Sequence, residues 1–147
     1  MQQAIHFING QWVAGEGSPI TSVDPTKNQT FWRGQAASAT QVDSALNAAR
    51  AALPQWSAKT VEERLSLIKK FAELLGENKQ QLAALIAQET GKPLWETATE
   101  IGAMIGKIAI SEKAYFERTG TVENPMPVGK AFIRHKPHGV VAVFGPY

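Results

Sequence analysis

The apolar stretch VVAVF at residues 140–144 constrains most strongly what this chain can fold into. Its β-branched, wholly apolar composition is typical of a strand that is buried on both faces inside a parallel sheet. Such a strand needs parallel neighbours, and each crossover to one takes about a dozen residues or more. Only Gly145, Pro146 and Tyr147 follow the stretch, and an unpaired apolar strand promotes aggregation. We therefore expect an α/β fold in which this chain is a truncated opening part of a longer polypeptide.

Short β-structure is predicted for the first quarter of the chain. Asn9 and Gly10 are suited to the two positive φ angles of a type I′ turn, so residues 7–13 are expected to form a hairpin. Two further strands are expected at residues 20–23 and 31–36. Two glycines, at positions 15 and 17, could suggest a phosphate-binding loop. They follow a hairpin and open no helix, so we interpret them as turn residues.

The hydrophobic period then changes to 3.6 residues and predicts four helices in succession. They are expected over residues 40–54, 60–76, 78–91 and 93–118, with an end near Gly120. Thr40 is the expected N-cap of the first helix, and Thr60 with Glu63 forms a capping box for the second. The expected inward-facing residues are Val42, Leu46, Ala49 and Leu53, then Val61, Leu65, Ile68, Ala72 and Leu75, then Leu82, Leu85 and Ile86, and finally Leu94, Ala98, Ile101, Ile105, Ile108 and Tyr115. Short loops predict an antiparallel four-helix cluster.

The segment after the helices is expected to begin with a loop over residues 123–129. Residues 130–136 alternate between two kinds of side chain, which predicts a half-exposed strand. Pro137, His138 and Gly139 end that strand before the apolar stretch begins.

Composition narrows the classes of function. The 147 residues are 44% hydrophobic and 19% charged, which is typical of a globular domain. The net charge of +2 is spread along the chain, so nucleic-acid binding is not expected. The sequence contains no cysteine, which excludes disulfides, cysteine-rich metal sites and a cysteine nucleophile within it. No apolar run reaches the roughly 20 residues of a membrane helix, and the N-terminus does not resemble a signal peptide, so a cytoplasmic location is expected.

Several side chains invite a functional interpretation but have a simpler structural one. His135 and His138 have an H-x-x-H spacing, but no further ligand cluster accompanies them, so a zinc site is not expected. Glu96 and Glu100 are interpreted as charges that compensate a helix N-terminus rather than as acid/base groups. Lys92, just before that helix, gives only a weak indication of a phosphate site. The four tryptophans, Trp12, Trp32, Trp56 and Trp95, are interpreted as core or interface anchors.

Residues 137–147, PHGVVAVFGPY, resemble the strand and turn that begin the cofactor-binding core of the aldehyde dehydrogenase superfamily. Residues 7–13, Asp24-Pro25 and residues 89–93 resemble that family's N-terminal landmarks, in the same order. The resemblance covers essentially the whole chain. It implies the N-terminal part of the family fold: a β-hairpin, a four-helix cluster, an oligomerisation strand and the first strand of a Rossmann-like sheet. The implied divisions are residues 1–120 (hairpin and helices), 121–138 (oligomerisation arm) and 139–147 (start of the cofactor-binding core).

The resemblance also implies a chemistry. Members of the family oxidise an aldehyde through a cysteine thiolate that adds to the carbonyl, with hydride transfer to NAD and hydrolysis by water that a glutamate activates. The family's asparagine donor to the oxyanion directly follows the Gly-Pro-Tyr turn, and the nucleophile and the glutamate come later still. This chain contains none of the three, so we expect it to be inactive alone.

Cofactor proximity is implied for Phe144, Gly145, Pro146 and Tyr147, which would lie along the nicotinamide side of the cofactor cleft. The simpler interpretation is that Phe144 is core and Tyr147 packs in the turn.

The expected partners are a small aldehyde and further copies of the same chain, joined through residues 121–138. Residues 107–115, 117–120 and 134–139 further resemble family members that act on a succinylated semialdehyde in bacterial arginine breakdown. Another aldehyde, or a non-catalytic helical assembly fragment, stays open as an alternative.

Overall fold

A computed structural model describes residues 4–145 of the chain. It contains three antiparallel two-stranded sheets and four helices. Their bounds are β1 (Ala4–Ile8), β2 (Gln11–Ala14), β3 (Pro19–Asp24), β4 (Gln29–Gln35), α1 (Ala39–Ala58), α2 (Val61–Glu77), α3 (Lys79–Thr90), α4 (Leu94–Arg118), β5 (Thr121–Pro125) and β6 (Lys130–Arg134). The mixed α/β class predicted from the sequence is confirmed.

The first hairpin forms as predicted. Asn9 and Gly10 both adopt positive φ angles, 51° and 78°, and Ile8 pairs with Gln11 across the turn. The ring centroids of Phe7 and Trp12, which are directly opposite in register, lie 5.2 Å apart. The two-residue turn chemistry therefore sets the register of β1 and β2.

The second hairpin, β3 and β4, also confirms the two predicted strands: β3 is one residue longer at each end, and β4 begins two residues earlier and ends one residue earlier than predicted. Gly15 and Gly17 lie beside the backbone that follows β4. A Cβ atom at Gly15 would lie 2.1 Å from the carbonyl oxygen of Gln35, and the Gly17 amide donates to the Ala36 carbonyl at 2.8 Å. These glycines permit close contact between two backbone segments, a common structural reason for glycine.

Helix α1 differs from its prediction in both ends and in its packing face. Its N-cap is Ser38, not Thr40, and Ser38 forms a full capping box with Gln41. The helix continues four residues beyond Pro54. The predicted inward residues Val42 and Leu46 are exposed, because the face of α1 that meets the first hairpin is the neighbouring one, which includes Ala45 and Ala48.

Helices α2 and α3 follow their predicted starts more closely than their predicted ends. The capping box of α2 is present, with the Glu63 amide donating to Thr60 Oγ1 at 3.1 Å and the Thr60 amide donating to Glu63 Oε2 at 2.7 Å. Gly76 was predicted to end α2 but lies inside it. Asn78 caps α3 without a side-chain hydrogen bond to its first turn, since Asn78 Nδ2 donates to Leu74 of α2 instead. Gly91 ends α3 in the left-handed conformation, as predicted.

The buried core lies where α4 crosses α2 and α3. Ile101 is 1% exposed and Thr97 is completely buried, while Ala83 of α3 and Leu75 of α2 complete the core. The Thr97 hydroxyl donates to the Ala83 carbonyl at 2.8 Å, so the one polar side chain in this helical core is hydrogen-bonded. Several predicted inward residues are instead exposed: Ile68, Leu85, Leu94 and Tyr115.

The predicted four-helix cluster is therefore corrected to three helices, α2, α3 and α4. Helix α1 packs chiefly against β1. Of the residues that the periodicity selected on α1, Ala49 lies beside the first hairpin together with Ala45 and Ala48, whereas Val42 and Leu46 are exposed. The small alanine side chains allow α1 to lie close to the hairpin.

The segment after the helices is a third hairpin. The predicted strand at residues 130–136 corresponds to β6, but residues 123–125, predicted as loop, belong to β5. Val122 pairs with Ile133 and Glu123 with Phe132. The loop prediction was wrong because Pro125 sits at the end of β5, where a proline is tolerated at a strand edge. Every residue of this hairpin except Ala131 is exposed.

Residues 140–144 do not form the predicted buried strand. They carry no strand pairing within the described residues, and Val143 and Phe144 are 87% and 91% exposed. A strand buried inside a parallel sheet needs parallel neighbours on both sides, and the three sheets of the described residues are antiparallel hairpins that provide none.

Candidate functional site

The candidate site predicted from the sequence lies at residues 144–147, of which the structure describes Phe144 and Gly145. Pro146 and Tyr147 fall outside the described residues. Gly139, with φ 98°, turns the chain away from β6, and Val140 is the last residue that is partly covered. The ring of Phe144 lies in solvent rather than in the core, so its predicted alternative role as a core residue is wrong for this structure.

The backbone of this segment is exposed together with its apolar side chains. Among the described residues, none donates a hydrogen bond to the backbone of residues 140–145 or accepts one from it. A dinucleotide site needs walls that enclose the cofactor, and the described residues supply a single open strand-like segment. They do not fit a cofactor site on their own.

The second predicted cluster surrounds the start of α4. Lys92 Nζ lies 2.5 Å from Glu100 Oε1 and 3.6 Å from Glu96 Oε1. The hydrogen bond and charge of Glu100, with a smaller effect of Glu96, raise the pKa of Lys92 above its ordinary value. Because both carboxylates pair with one exposed lysine, the arrangement suits a surface ion-pair network rather than acid/base chemistry. The same pairing occupies Lys92, which had given a weak indication of a phosphate site.

The remaining predicted residues are not brought together. His135 Nδ1 lies 3.1 Å from the Gly120 carbonyl oxygen, and among the described residues no group of three or more metal-ligating side chains forms. Trp12, Trp56 and Trp95 are exposed, while Trp32 is half-buried. Three of the four tryptophans are thus not core anchors in this structure.

Sequence reasoning missed a buried carboxylate at Asp24. Its Oδ1 accepts hydrogen bonds from the Thr26 hydroxyl at 2.6 Å and from the Thr26 and Lys27 amides at 2.9 and 3.3 Å. The Thr26 hydroxyl contributes most to holding the pKa of Asp24 below its ordinary value. The signal was present in the order Asp-Pro-Thr, since an aspartate often accepts from the amide two residues on in a turn. The role of Asp24 is structural: it fixes the turn between β3 and β4.

That turn lies against the end of α3 and ties the second hairpin to the helices. Ser22 Oγ donates to Glu89 Oε1 at 2.8 Å. A Cβ atom placed on Gly91 would lie 2.9 Å from Pro25 Cγ. The sequence landmarks at Asp24-Pro25 and at residues 89–93, far apart along the chain, therefore meet in space.

Among the described helices, none is long and apolar enough to cross a membrane.

Comparison with known proteins gives a family match over most of the chain. The model of the aldehyde dehydrogenase family matches residues 12–147. A NAD-dependent benzaldehyde dehydrogenase from Corynebacterium glutamicum is 28% identical, with a TM-score of 0.75 over 85% of this chain and 27% of the other. A succinate-semialdehyde dehydrogenase from Burkholderia pseudomallei is 26% identical, with a TM-score of 0.76 over 86% of this chain and 26% of the other.

A third solved structure carries a different cofactor. The NADP-dependent glyceraldehyde-3-phosphate dehydrogenase from Bacillus halodurans C-125, complexed with NADP, is 25% identical, with a TM-score of 0.74 over 80% of this chain and 25% of the other. The chain thus spans about a quarter of the length of each of these solved relatives. With the order of its hairpins and helices matching theirs and a family model covering residues 12–147, the chain belongs to the aldehyde dehydrogenase family.

Proposed function

We propose that this chain is the N-terminal portion of an NAD-dependent enzyme that oxidises N-succinylglutamate 5-semialdehyde to N-succinylglutamate in arginine catabolism. The observation that carries the proposal is the family match over residues 12–147. The substrate rests on residues 107–115, 117–120 and 134–139, which resemble N-succinylglutamate 5-semialdehyde dehydrogenase. Solved relatives act on benzaldehyde, succinate semialdehyde and glyceraldehyde 3-phosphate by their names, so the family alone does not select the substrate.

The proposed roles of the three segments follow their order along the chain. Residues 1–120 would belong to the cofactor-binding domain as its hairpin and helical part. Residues 121–138 would form the oligomerisation arm. Residues 139–147 would become the first strand of the cofactor-binding sheet once parallel neighbours lie beside them, which is supported by the lack of hydrogen bonds between the backbone of residues 140–145 and the other described residues.

Within that complete sheet, we expect the main chain of Phe144 and Gly145, together with Pro146 and the ring of Tyr147, to lie beside the nicotinamide half of the cofactor. Ligands of open α/β sheets bind at the carboxyl ends of the strands, which is where these residues stand. The preference for NAD over NADP rests on the resemblance, because solved relatives use both.

The 147 residues are proposed to be catalytically inert by themselves. Thioester-forming aldehyde oxidation needs a thiolate, and the sequence contains no cysteine. Any turnover must therefore come from a polypeptide that includes further residues.

Self-association through residues 121–138 is the proposed role of the β5–β6 hairpin. Its support is the exposure of apolar residues on both faces of the hairpin, Val122, Phe132 and Ile133 among them, and the free edge of a two-stranded sheet. Ile133→Lys is expected to shift the chain to a smaller species in light scattering, because a lysine at a paired edge opposes strand addition. Val128→Lys, in the 93% exposed turn of the same hairpin, serves as control and should not.

An unchanged association state in Ile133→Lys, or after removal of residues 121–138, would contradict this role for the hairpin.

Reading the gene beyond the codon for Tyr147 tests the proposal as a whole. We expect the codons for Asn-Phe-Pro to follow, and a cysteine codon further on. A stop codon directly after Tyr147 would instead favour the alternative of a non-catalytic helical assembly fragment. The other alternative, a different semialdehyde substrate, is decided by assaying the complete enzyme with N-succinylglutamate 5-semialdehyde against succinate semialdehyde.

A further inference from the structure

A cleft lies where the end of α1, the C-terminal end of α4 and the segment after β6 meet. Its volume is about 640 Å³, which falls in the range of small-molecule sites. Three aromatic residues, Trp56, Tyr115 and Phe116, line it. Of the residues proposed to lie beside the cofactor, the two that the structure describes, Phe144 and Gly145, do not line this cleft.

The charged residues that line the cleft have a single sign. Arg64, Arg134 and Lys136 line it, and among the described residues no aspartate or glutamate does. In the part of the chain that the structure describes, the ion pairs join other lysines to carboxylates, and none involves these three residues. No described carboxylate therefore pairs with these charges, although the Arg134 guanidinium lies 5.0 Å from the centroid of the Phe132 ring.

Arg64 is the most informative of these residues. It is half-buried at the wall of the cleft. Its Nη1 donates to the Lys59 carbonyl at 2.6 Å, and this is the single described hydrogen bond of a group with five N–H donors. The remaining donors have no acceptor among the described residues, so they are available to an anion that enters the cleft.

We propose that this cleft binds a small organic anion. The anionic oxygens would pair with Arg64, whose planar fork fits a carboxylate or a phosphate ester with two parallel hydrogen bonds. The apolar body of the ligand would lie against Trp56 and Tyr115, since aromatic rings supply apolar contact area at the cleft wall. Recognition thus needs both a negative charge and an apolar body on the same molecule.

Isothermal titration of the 147-residue chain with four probes separates these requirements. Benzoate and phenyl phosphate carry both features and are expected to bind, and their relative affinity distinguishes a carboxylate from a phosphate ester as the preferred head group. Benzyl alcohol lacks the charge and inorganic phosphate lacks the apolar body, so each is expected to bind about tenfold or more weakly. Binding of benzyl alcohol as tight as that of benzoate, or no binding of either organic anion, would overturn the proposal.

Substitution locates the binding in the cleft. Arg64→Gln is expected to weaken benzoate binding about tenfold or more, whereas Arg33→Gln removes the same charge from an exposed site on β4 and should leave the affinity unchanged. Equal affinity of a folded Arg64→Gln protein and the wild type contradicts the site. Should Arg64→Gln fail to give a native circular dichroism spectrum, the exposed Lys136→Gln decides: a loss of about threefold supports the site, and no loss refutes it.

Discussion

Thr97 is the residue on which the contact between α3 and α4 depends most specifically. Its hydroxyl, which is completely buried, donates to the Ala83 carbonyl of α3 and lies 3.1 Å from the Leu94 carbonyl of its own helix. The apolar periodicity of α4 predicted that Ala98 and Ile101 face inward. It did not include Thr97, because threonine is not counted as an apolar residue. A polar residue can occupy the core where a backbone acceptor is in reach.

Replacing this threonine tests the value of the hydrogen bond. Thr97→Val keeps the shape and removes the interhelical hydrogen bond, while the Ala83 carbonyl still accepts within α3, so we expect a loss of about 0.5–1.5 kcal/mol in the free energy of unfolding. Thr99→Val is the matched control, because Thr99 is exposed and its hydroxyl bonds to its own helix. Urea unfolding measures both, and equal stabilities of the two variants would show that the interhelical bond is of no consequence.

Asp24 gives the structure a defined response to acid. Its pKa is lower in the folded chain than its ordinary value of 3.8, chiefly through the Thr26 hydroxyl. Ionised Asp24 therefore stabilises the fold above pH 3.8, and that stabilisation is lost as the pH falls below 3.8 through the folded pKa. In urea unfolding over a pH series, Asp24→Asn should be less stable than wild type at neutral pH and should lose part of the acid-dependent step.

Asp43→Asn, at an exposed site on α1, should keep the wild-type pH profile. An Asp24→Asn profile that stays parallel to wild type throughout would refute the role assigned to Asp24.

Among the helices and strands, the sequence predicted the position and type of each element better than it predicted which faces pack together. All four helices and the first four strands lie where pattern and turn chemistry predicted, since Asn9-Gly10, Thr60 with Glu63, and Gly91 act through local geometry. The predicted packing face of α1 was inaccurate, because the apolar pattern cannot show that the alanine-rich side meets a hairpin instead of other helices. The stretch at residues 140–144 failed because pairing of a strand depends on neighbours rather than on its own composition.

The N-cap of α1 offers a test at this scale. Ser38 Oγ accepts from the Gln41 amide at 3.3 Å, and Gln41 Oε1 accepts in return from the Ser38 amide at 3.0 Å. Ser38→Ala should therefore cost about 0.5–2 kcal/mol of stability, whereas Thr40→Ala, at the cap position that the sequence had suggested, should cost almost nothing. Thermal unfolding, monitored by circular dichroism, compares the stability losses of the two variants. A larger loss in Thr40→Ala than in Ser38→Ala would identify Thr40 as the cap.

The whole molecule is an α/β unit whose apolar surfaces are only partly covered. A groove of about 560 Å³ lies between α2 and α4, lined by Val61, Leu65, Ile68 and Met104 among others, and residues 141–144 add further exposed apolar side chains. Patches of this kind on a globular chain mark surfaces that meet other polypeptide. The candidate cofactor residues stay a prediction that rests on the resemblance, and their geometry could not be predicted, since a site at the end of a strand exists only within a completed sheet.

We propose that this chain contributes structure, and no nucleophile, to an aldehyde dehydrogenase. The most direct measurement is aldehyde-dependent reduction of NAD by the 147-residue chain and by a fusion in which it replaces the matching N-terminal quarter of the Corynebacterium glutamicum benzaldehyde dehydrogenase. We expect no turnover of benzaldehyde by the chain alone and measurable turnover by the fusion. Cofactor reduction by the chain alone, or a fusion that is folded but inactive, would contradict the claim.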